Sequence, residues 1–119
     1  MKAEEAKTDL GVIRIHKKVI ASIAALAAME TEGIKTIGGN LKSSLYELIG
    51  KKGQGSITVE IDKNNEVRLE IPLVIKYGFN LPEVASKAQE NVQRALDKMT
   101  NLNIKDIDIN IQGVERSPK

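Results

Sequence analysis

Acidic residues occur in closely spaced pairs, and paired carboxylates are side chains from which general acid–base catalysis is built. Glu60 and Asp62 stand two positions apart, as do Asp106 and Asp108, so each pair shares one face of a strand. Both segments alternate these acids with isoleucine or valine, and a half-buried strand shows such a polar face without any catalysis. The serines have no nearby base or nucleophile-elbow sequence. The sequence therefore predicts a protein that is not an enzyme.

Ligands for a metal ion or a cofactor are scarce in this chain. His16 is the single histidine, and there is no cysteine. A zinc site needs several such side chains, so we expect neither a metal nor a cofactor. The lack of cysteine excludes disulfides and fits a reducing compartment.

A basic loop, Gly50-Lys51-Lys52-Gly53, has the form of the GXXG loop with which KH domains clamp a nucleic-acid backbone. In a KH domain the loop joins two helices, whereas here the following segment has the alternation of a strand. The net charge is only +2, and the chain has two tyrosines, one phenylalanine and no tryptophan. Nucleic-acid binding through Lys51 and Lys52 is therefore the alternative interpretation, and a solvated loop is the favoured one.

Hydrophobic periodicity predicts an α+β fold. The predicted elements are a strand at 12–15, a helix at 16–30, a short helix at 41–49, strands at 57–62 and 67–77, a helix at 81–100 and a strand at 107–111. This βα(α)ββαβ order favours a two-layer sandwich with helices on one face of a largely antiparallel or mixed sheet of about four strands. Pro72 in the second central segment predicts an edge position or a bulge.

The chain ends are polar, and we expect residues 1–9 and 115–119 to be disordered tails around a single domain at 10–114. The longest apolar-rich run is shorter than the roughly 20 residues that cross a bilayer. These features predict a cytoplasmic protein.

The segment that joins the long strand to the long helix has the residues of a built helix start. Asn80 at the N-cap position can accept a hydrogen bond from the Glu83 N–H, and the Glu83 side chain can return one. Pro82 falls in the first turn, where its missing N–H costs nothing.

The residues around this cap complete a structural motif. Phe79 before the cap and Val84 in the first turn can form a hydrophobic staple. Gly78 permits the chain to turn sharply after Tyr77. We interpret the whole segment as a strand-to-helix joint rather than a ligand site.

The first helix carries a second candidate surface. Its larger apolar side chains share one face that we expect to enter the core: Val19, Ile20, Ile23 and Leu26. The opposite face carries small side chains where charged ones are usual. Such residues let another helix approach closely, so we predict a self-association or partner surface at Ala21, Ala24, Ala25 and Ala28.

Nearly the whole chain, from about Gly11 to Val114, resembles the alkaline shock protein family, small stress-associated proteins best known from Gram-positive bacteria. The similar motifs are Tyr77-Gly78-x-Asn80-x-Pro82-Glu83-Val84-Ala85, Gln89-Glu90-Asn91-Val92 and Ile109-x-Ile111-x-Gly113-Val114. The resemblance implies a non-enzymatic cytoplasmic protein that self-associates and functions in stress response or envelope homeostasis. Some relatives are held at the membrane by a separate integral-membrane anchor protein, and others are linked to lipid-precursor metabolism; the resemblance leaves both branches open for this chain.

Overall fold

Two helices lie against one face of a four-stranded mixed sheet in the computed structural model, which describes residues 3–38 and 57–116. The elements in chain order are β1 (Ala3–Thr8), β2 (Gly11–His16), α1 (Lys17–Met29), β3 (Ile34–Ile37), β4 (Thr58–Ile61), β5 (Glu66–Lys76), α2 (Leu81–Thr100) and β6 (Asn103–Glu115). The predicted α+β class and one-sided helix layer are confirmed. The predicted helix at 41–49 lies outside the described residues.

Strand β5 is the centre of the sheet. It pairs in parallel with β6 along its whole length, and its other side pairs antiparallel with β4 and then with β3. Pro72 belongs to this central strand, so its predicted edge position is wrong. It lies instead beside a bulge between Leu73 and Val74. It also falls between Glu70, where the pairing of β5 with β4 ends, and Leu73, where its pairing with β3 begins. A residue without an N–H is tolerated there because the ladder is already interrupted.

The core lies between the sheet and the helix layer and is built from aliphatic side chains. Alternate β5 residues are at most 2% exposed: Val67, Leu69, Ile71, Leu73 and Ile75. They pack with fully buried residues of the two helices, namely Ile20, Ala24 and Ala28 from α1 and Ala88, Val92 and Leu96 from α2. Each large side chain buried in this way contributes about 1.5–3 kcal/mol.

The N-terminal region differs from the sequence prediction. Residues 3–8 form β1, which pairs antiparallel with β2 in a separate two-stranded sheet, so the prediction of a disordered tail at 1–9 is wrong there. The β1 sequence has no apolar alternation, so hydrophobic periodicity does not predict this strand. Its backbone is paired with β2 from Ala3 to Thr8. The Thr8 side chain supports the turn by donating to the Gly11 carbonyl and accepting from the Leu10 N–H.

Two smaller differences concern β3 and the C-terminus. Strand β3 has only four residues, too few for a periodic pattern to reveal. Glu115, predicted to begin a tail, ends β6, and its carbonyl accepts from the Tyr77 N–H at 2.8 Å. The guanidinium of Arg116 then lies 4.3 Å from the centre of the Tyr77 ring.

Candidate protein-contact surface

Helix α1 presents a different face to the core than its sequence suggested. Ala24 and Ala28 are completely buried, whereas Leu26 is 70% exposed. The predicted assignment of these two alanines to a partner surface is therefore wrong, as is that of Leu26 to the core. Small residues do permit a close approach, but here they face the interior that α1 shares with α2 and the sheet. Ala21 and Ala25 are half-buried, so part of each side chain stays accessible.

An apolar depression lies on the outside of the helix layer, between α1 and α2. We call it the outer patch. Its centre is a cavity of about 230 Å³, with Glu30 at its margin and apolar lining from Ile23, Leu26, Ala27, Ala95 and Met99. Leu26 is 70% and Met99 64% exposed. Large apolar side chains held open to water beside a cavity are characteristic of surfaces that bind another protein.

Polar contacts of α2 hold the two sides of the outer patch in place. The Asn91 side-chain amide donates to the hydroxyl of buried Thr31 at 2.9 Å. The Arg94 guanidinium donates to the side-chain oxygen Oδ1 of Asn91 at 3.2 Å. Gln89 donates to the Ile107 carbonyl at 2.8 Å. Sequence reasoning gave these residues no role, because the partners of Asn91 and Gln89 are separated from them by 60 and 18 positions.

The strand-to-helix joint has the predicted geometry at its cap. The Asn80 side chain accepts from the Glu83 N–H at 3.0 Å, and Pro82 lies in the first turn. Gly78 has a φ of +100°, as its predicted role requires. The return bond from the Glu83 side chain is absent among the hydrogen bonds of the described residues. The predicted strand at 67–77 ends one residue earlier, at Lys76, and the Tyr77 side chain beyond it is 61% exposed.

The two staple residues contact a third part of the chain. A Cβ atom at Gly33, in the turn between α1 and β3, would lie 2.9 Å from both Phe79 Cδ2 and Val84 Cγ2. Gly33 has a φ of +101° and its carbonyl accepts from the Lys76 N–H at 2.8 Å. The joint therefore closes over this glycine, and Phe79 and Val84 leave no room for a side chain there.

The open face of the sheet carries the acidic residues that the sequence placed there. A groove of about 190 Å³ includes Glu60, Glu70, Asp106 and Asp108, with Arg68 as the cation among its lining residues. Arg68 lies 3.6 Å from the Asp106 carboxylate. Within the described ranges, no group of three or more acids or histidines is placed to hold a metal ion.

The second acidic pair, Glu60 and Asp62, lines a depression at the β4–β5 turn together with Lys17 and Arg68. The Asp62 carboxylate accepts from the backbone N–H groups of Asn64 and Glu66 at 2.8 and 3.0 Å. The Glu66 N–H in particular holds the pKa of Asp62 below its ordinary value, despite the cost of desolvation. Asp62 thus stabilises a turn, in which Asn65 takes a positive φ of 62°. Lys51 and Lys52, the residues of the RNA-binding alternative, lie outside the described residues.

A comparison with models of protein families identifies the family of this chain. The model of the alkaline shock protein family, described as having a cell envelope-related function, matches residues 5–116. The chain belongs to the alkaline shock protein family. The resemblance that the sequence motifs suggested is thereby confirmed.

Two relatives of this alkaline shock family chain come from Bacillus subtilis (strain 168). The uncharacterized protein YqhY is 32% identical over 120 residues, covering 100% of this chain and 88% of YqhY. The uncharacterized protein YloU is 26% identical over 112 residues, covering 92% of this chain and 93% of YloU.

Solved structures show a similar fold for this alkaline shock family chain. Two MamM-CTD variants each align with a TM-score of 0.51 and 10% identity over 82% of this chain and 98% of theirs. At that identity the likeness concerns the fold alone. In the described part of the chain, neither helix has the length and apolar character needed to cross a bilayer.

Proposed function

We propose that this alkaline shock family protein is a non-enzymatic scaffold of the cell envelope or of a stress response, which self-associates and acts through contacts with other proteins. The outer patch is the observation that carries the proposal. It places Leu26 and Met99, both more than 60% exposed, on either side of one cavity. The cell envelope-related description of the family supports the cellular setting.

The outer patch has the composition of a contact surface rather than of a catalytic pocket. Its lining is apolar apart from Glu30 at the margin, and methionine and leucine side chains adapt well to a partner's surface. Covering it would remove apolar area from water, which is the main driving force of protein association. Half-buried Ala21 and Ala25, on the opposite side of α1 from Leu26, remain a separate proposed contact on that helix.

We place the protein in the cytoplasm, attached to the membrane through an integral-membrane partner that binds the outer patch. The resemblance to family members with such an anchor motivated this proposal, and the cell envelope-related family description supports it.

Affinity capture after crosslinking in the native host tests this proposal, with soluble and membrane fractions compared. The decisive variant is Leu26→Glu, which puts a charge into the outer patch and leaves the core alone because Leu26 is exposed. Ser86→Glu is the matched control, since it adds the same charge at an exposed site near the other end of α2. We expect one reproducible integral-membrane partner with the wild type and Ser86→Glu, and its loss with Leu26→Glu.

Two other outcomes would contradict the proposal. Equal recovery of the partner with Leu26→Glu would remove the outer patch from the contact. Recovery of RNA instead of protein, with retention that weakens steeply as salt rises, would favour the basic loop of Lys51 and Lys52. The acidic open face of the sheet repels a phosphate backbone, so any RNA contact must lie elsewhere.

A further inference from the structure

The β1–β2 hairpin, which we call the arm, is poorly covered by the rest of the chain. It forms a sheet of its own. Ile15 at its base packs against the core, but farther along Leu10 is 100%, Ile13 55% and Val12 41% exposed. A two-stranded hairpin is marginally stable at best in water unless a further strand or surface supports it. Among the described residues, the arm therefore has little support beyond the packing of Ile15.

The register of the arm gives it two unlike faces. Ile13 and Ile15 point to the same side, and one of them already enters the core. Arg14 and Val12 point to the other side, where Lys7 is the cross-strand partner of Val12. One face of β2 is thus apolar, and the opposite face carries Arg14, whose cross-strand partner is Glu5, and Val12 beside Lys7.

Strand β6 offers an edge with the complementary pair of faces. Among the described strands, β5 alone pairs with β6, along one of its sides. The isoleucines of β6 face the helix layer but are only half-buried: Ile107, Ile109 and Ile111. Asp106 and Asp108 are exposed on the opposite face. An edge of 13 residues that pairs on one side is a template for a further strand.

We propose that β2 of one copy adds to the β6 edge of a second copy, extending its sheet from four strands to six. This placement continues the apolar layer from Ile109 of one copy to Ile13 of the other. It also brings Arg14 and Lys7 of the arm to the side of the sheet on which Asp108 is exposed. Both matches occur in the same register, because a shift by one residue would exchange the two faces of the added strand. The inference rests on the proposed self-association and names the surfaces that make it.

This contact joins two different surfaces, so one copy of a pair keeps a free edge and the other keeps a free arm. The outer patch remains open for another protein, because it lies on the outer side of the helix layer. The Gln89 side chain satisfies the Ile107 carbonyl of β6 within the same chain. We therefore place the added strand on the part of the edge that follows Ile107, from Asp108 onward.

Adjacent substitutions on the two faces of β2 test the proposal by sedimentation at increasing protein concentration. Ile13→Lys puts a charge into the apolar layer and should raise the dissociation constant at least about tenfold. Val12→Lys adds the same charge one residue earlier, on the side of the sheet where Asp108 is exposed, and should leave association unchanged or stronger. Leu26→Glu should associate like the wild type. Circular dichroism checks that each variant retains the fold.

Amide hydrogen exchange provides a second measurement, which is made first on the wild-type protein. The amides of Val12–Ile15 and Ile109–Ile111 should exchange more slowly as wild-type concentration rises, and Ile13→Lys should abolish that dependence. Exchange at both segments that is independent of concentration would overturn the arm contact.

The remaining outcomes separate this inference from the proposed function. A wild-type chain that stays monomeric at all concentrations would refute self-association and the arm contact together. Association that survives Ile13→Lys, or that is lost in Leu26→Glu alone, would refute the arm contact and leave self-association intact.

Discussion

Replacing Gly33 by alanine perturbs the point where the α1–β3 turn, the end of β5 and the start of α2 meet. The new methyl group would lie 2.9 Å from the Phe79 ring and 2.9 Å from Val84 Cγ2. Phe79 is 38% exposed and its ring has room to turn, but Val84 is 5% exposed and fixed in the core. The substitution must therefore displace α2 or the turn itself.

Two costs add in the Gly33→Ala variant. A φ of +101° is strained for any residue with a Cβ atom, which costs about 1–3 kcal/mol. Forcing a methyl group into a packed interior costs about 1–3 kcal/mol more. We therefore expect the free energy of unfolding to fall by about 2–6 kcal/mol, a large share of the roughly 5–15 kcal/mol of an ordinary domain.

Gly78→Ala is the matched control for this experiment. Its φ of +100° is nearly identical, but nothing lies within 4 Å of the position that its new methyl group would take. In urea unfolding at one fixed low protein concentration, the free energy of unfolding of this control should fall by the backbone cost alone, about 1–3 kcal/mol. Equal losses in the two variants would refute the reasoning, because the crowding over Gly33 would then contribute nothing. Adding Val84→Ala to Gly33→Ala should recover part of the difference.

The other predictions concern the cap and the β4–β5 turn. Asn80→Ala removes the acceptor of the Glu83 N–H and should lower the free energy of unfolding by about 1 kcal/mol in urea titrations. An unchanged midpoint of urea unfolding together with the loss of a binding partner would show that Asn80 contacts that partner. The pKa of Asp62 is lowered by the Glu66 N–H, so its stabilisation is complete above the ordinary value of about 3.9 and is lost as pH falls through the folded-state pKa. The temperature of thermal unfolding should consequently fall less steeply toward low pH in Asp62→Asn than in the wild type. Equal falls in the two proteins would contradict this role.

Local sequence determined the joint between β5 and α2. The Asn80 cap, the Gly78 turn and the position of Pro82 each follow from the conformational preferences of single residues, and the structure has all three. The return bond of Glu83 failed because a long exposed side chain gains little by giving up its freedom for one hydrogen bond.

The contact surface could be predicted only in part. The sequence predicted a contact surface on α1, which stays a prediction, but it placed Leu26 inside and Ala24 outside. Periodicity shows that a helix has two faces, whereas their burial depends on the element packed against each one. Close packing in the interior favoured the alanines, and Leu26 was left beside the cavity.

The sequence by itself determined the family, the α+β class and the capped turn between β5 and α2, because these follow from residue types and their spacing along the chain. Tertiary structure decided which side of α1 is buried, which residues Gly33 must accommodate and where Asn91 finds its partner. It also decided that residues 3–8 form a strand, since that strand depends on backbone pairing with β2 rather than on its own side chains. Long-range pairing and close packing are properties of the assembled chain, and no local pattern encodes them.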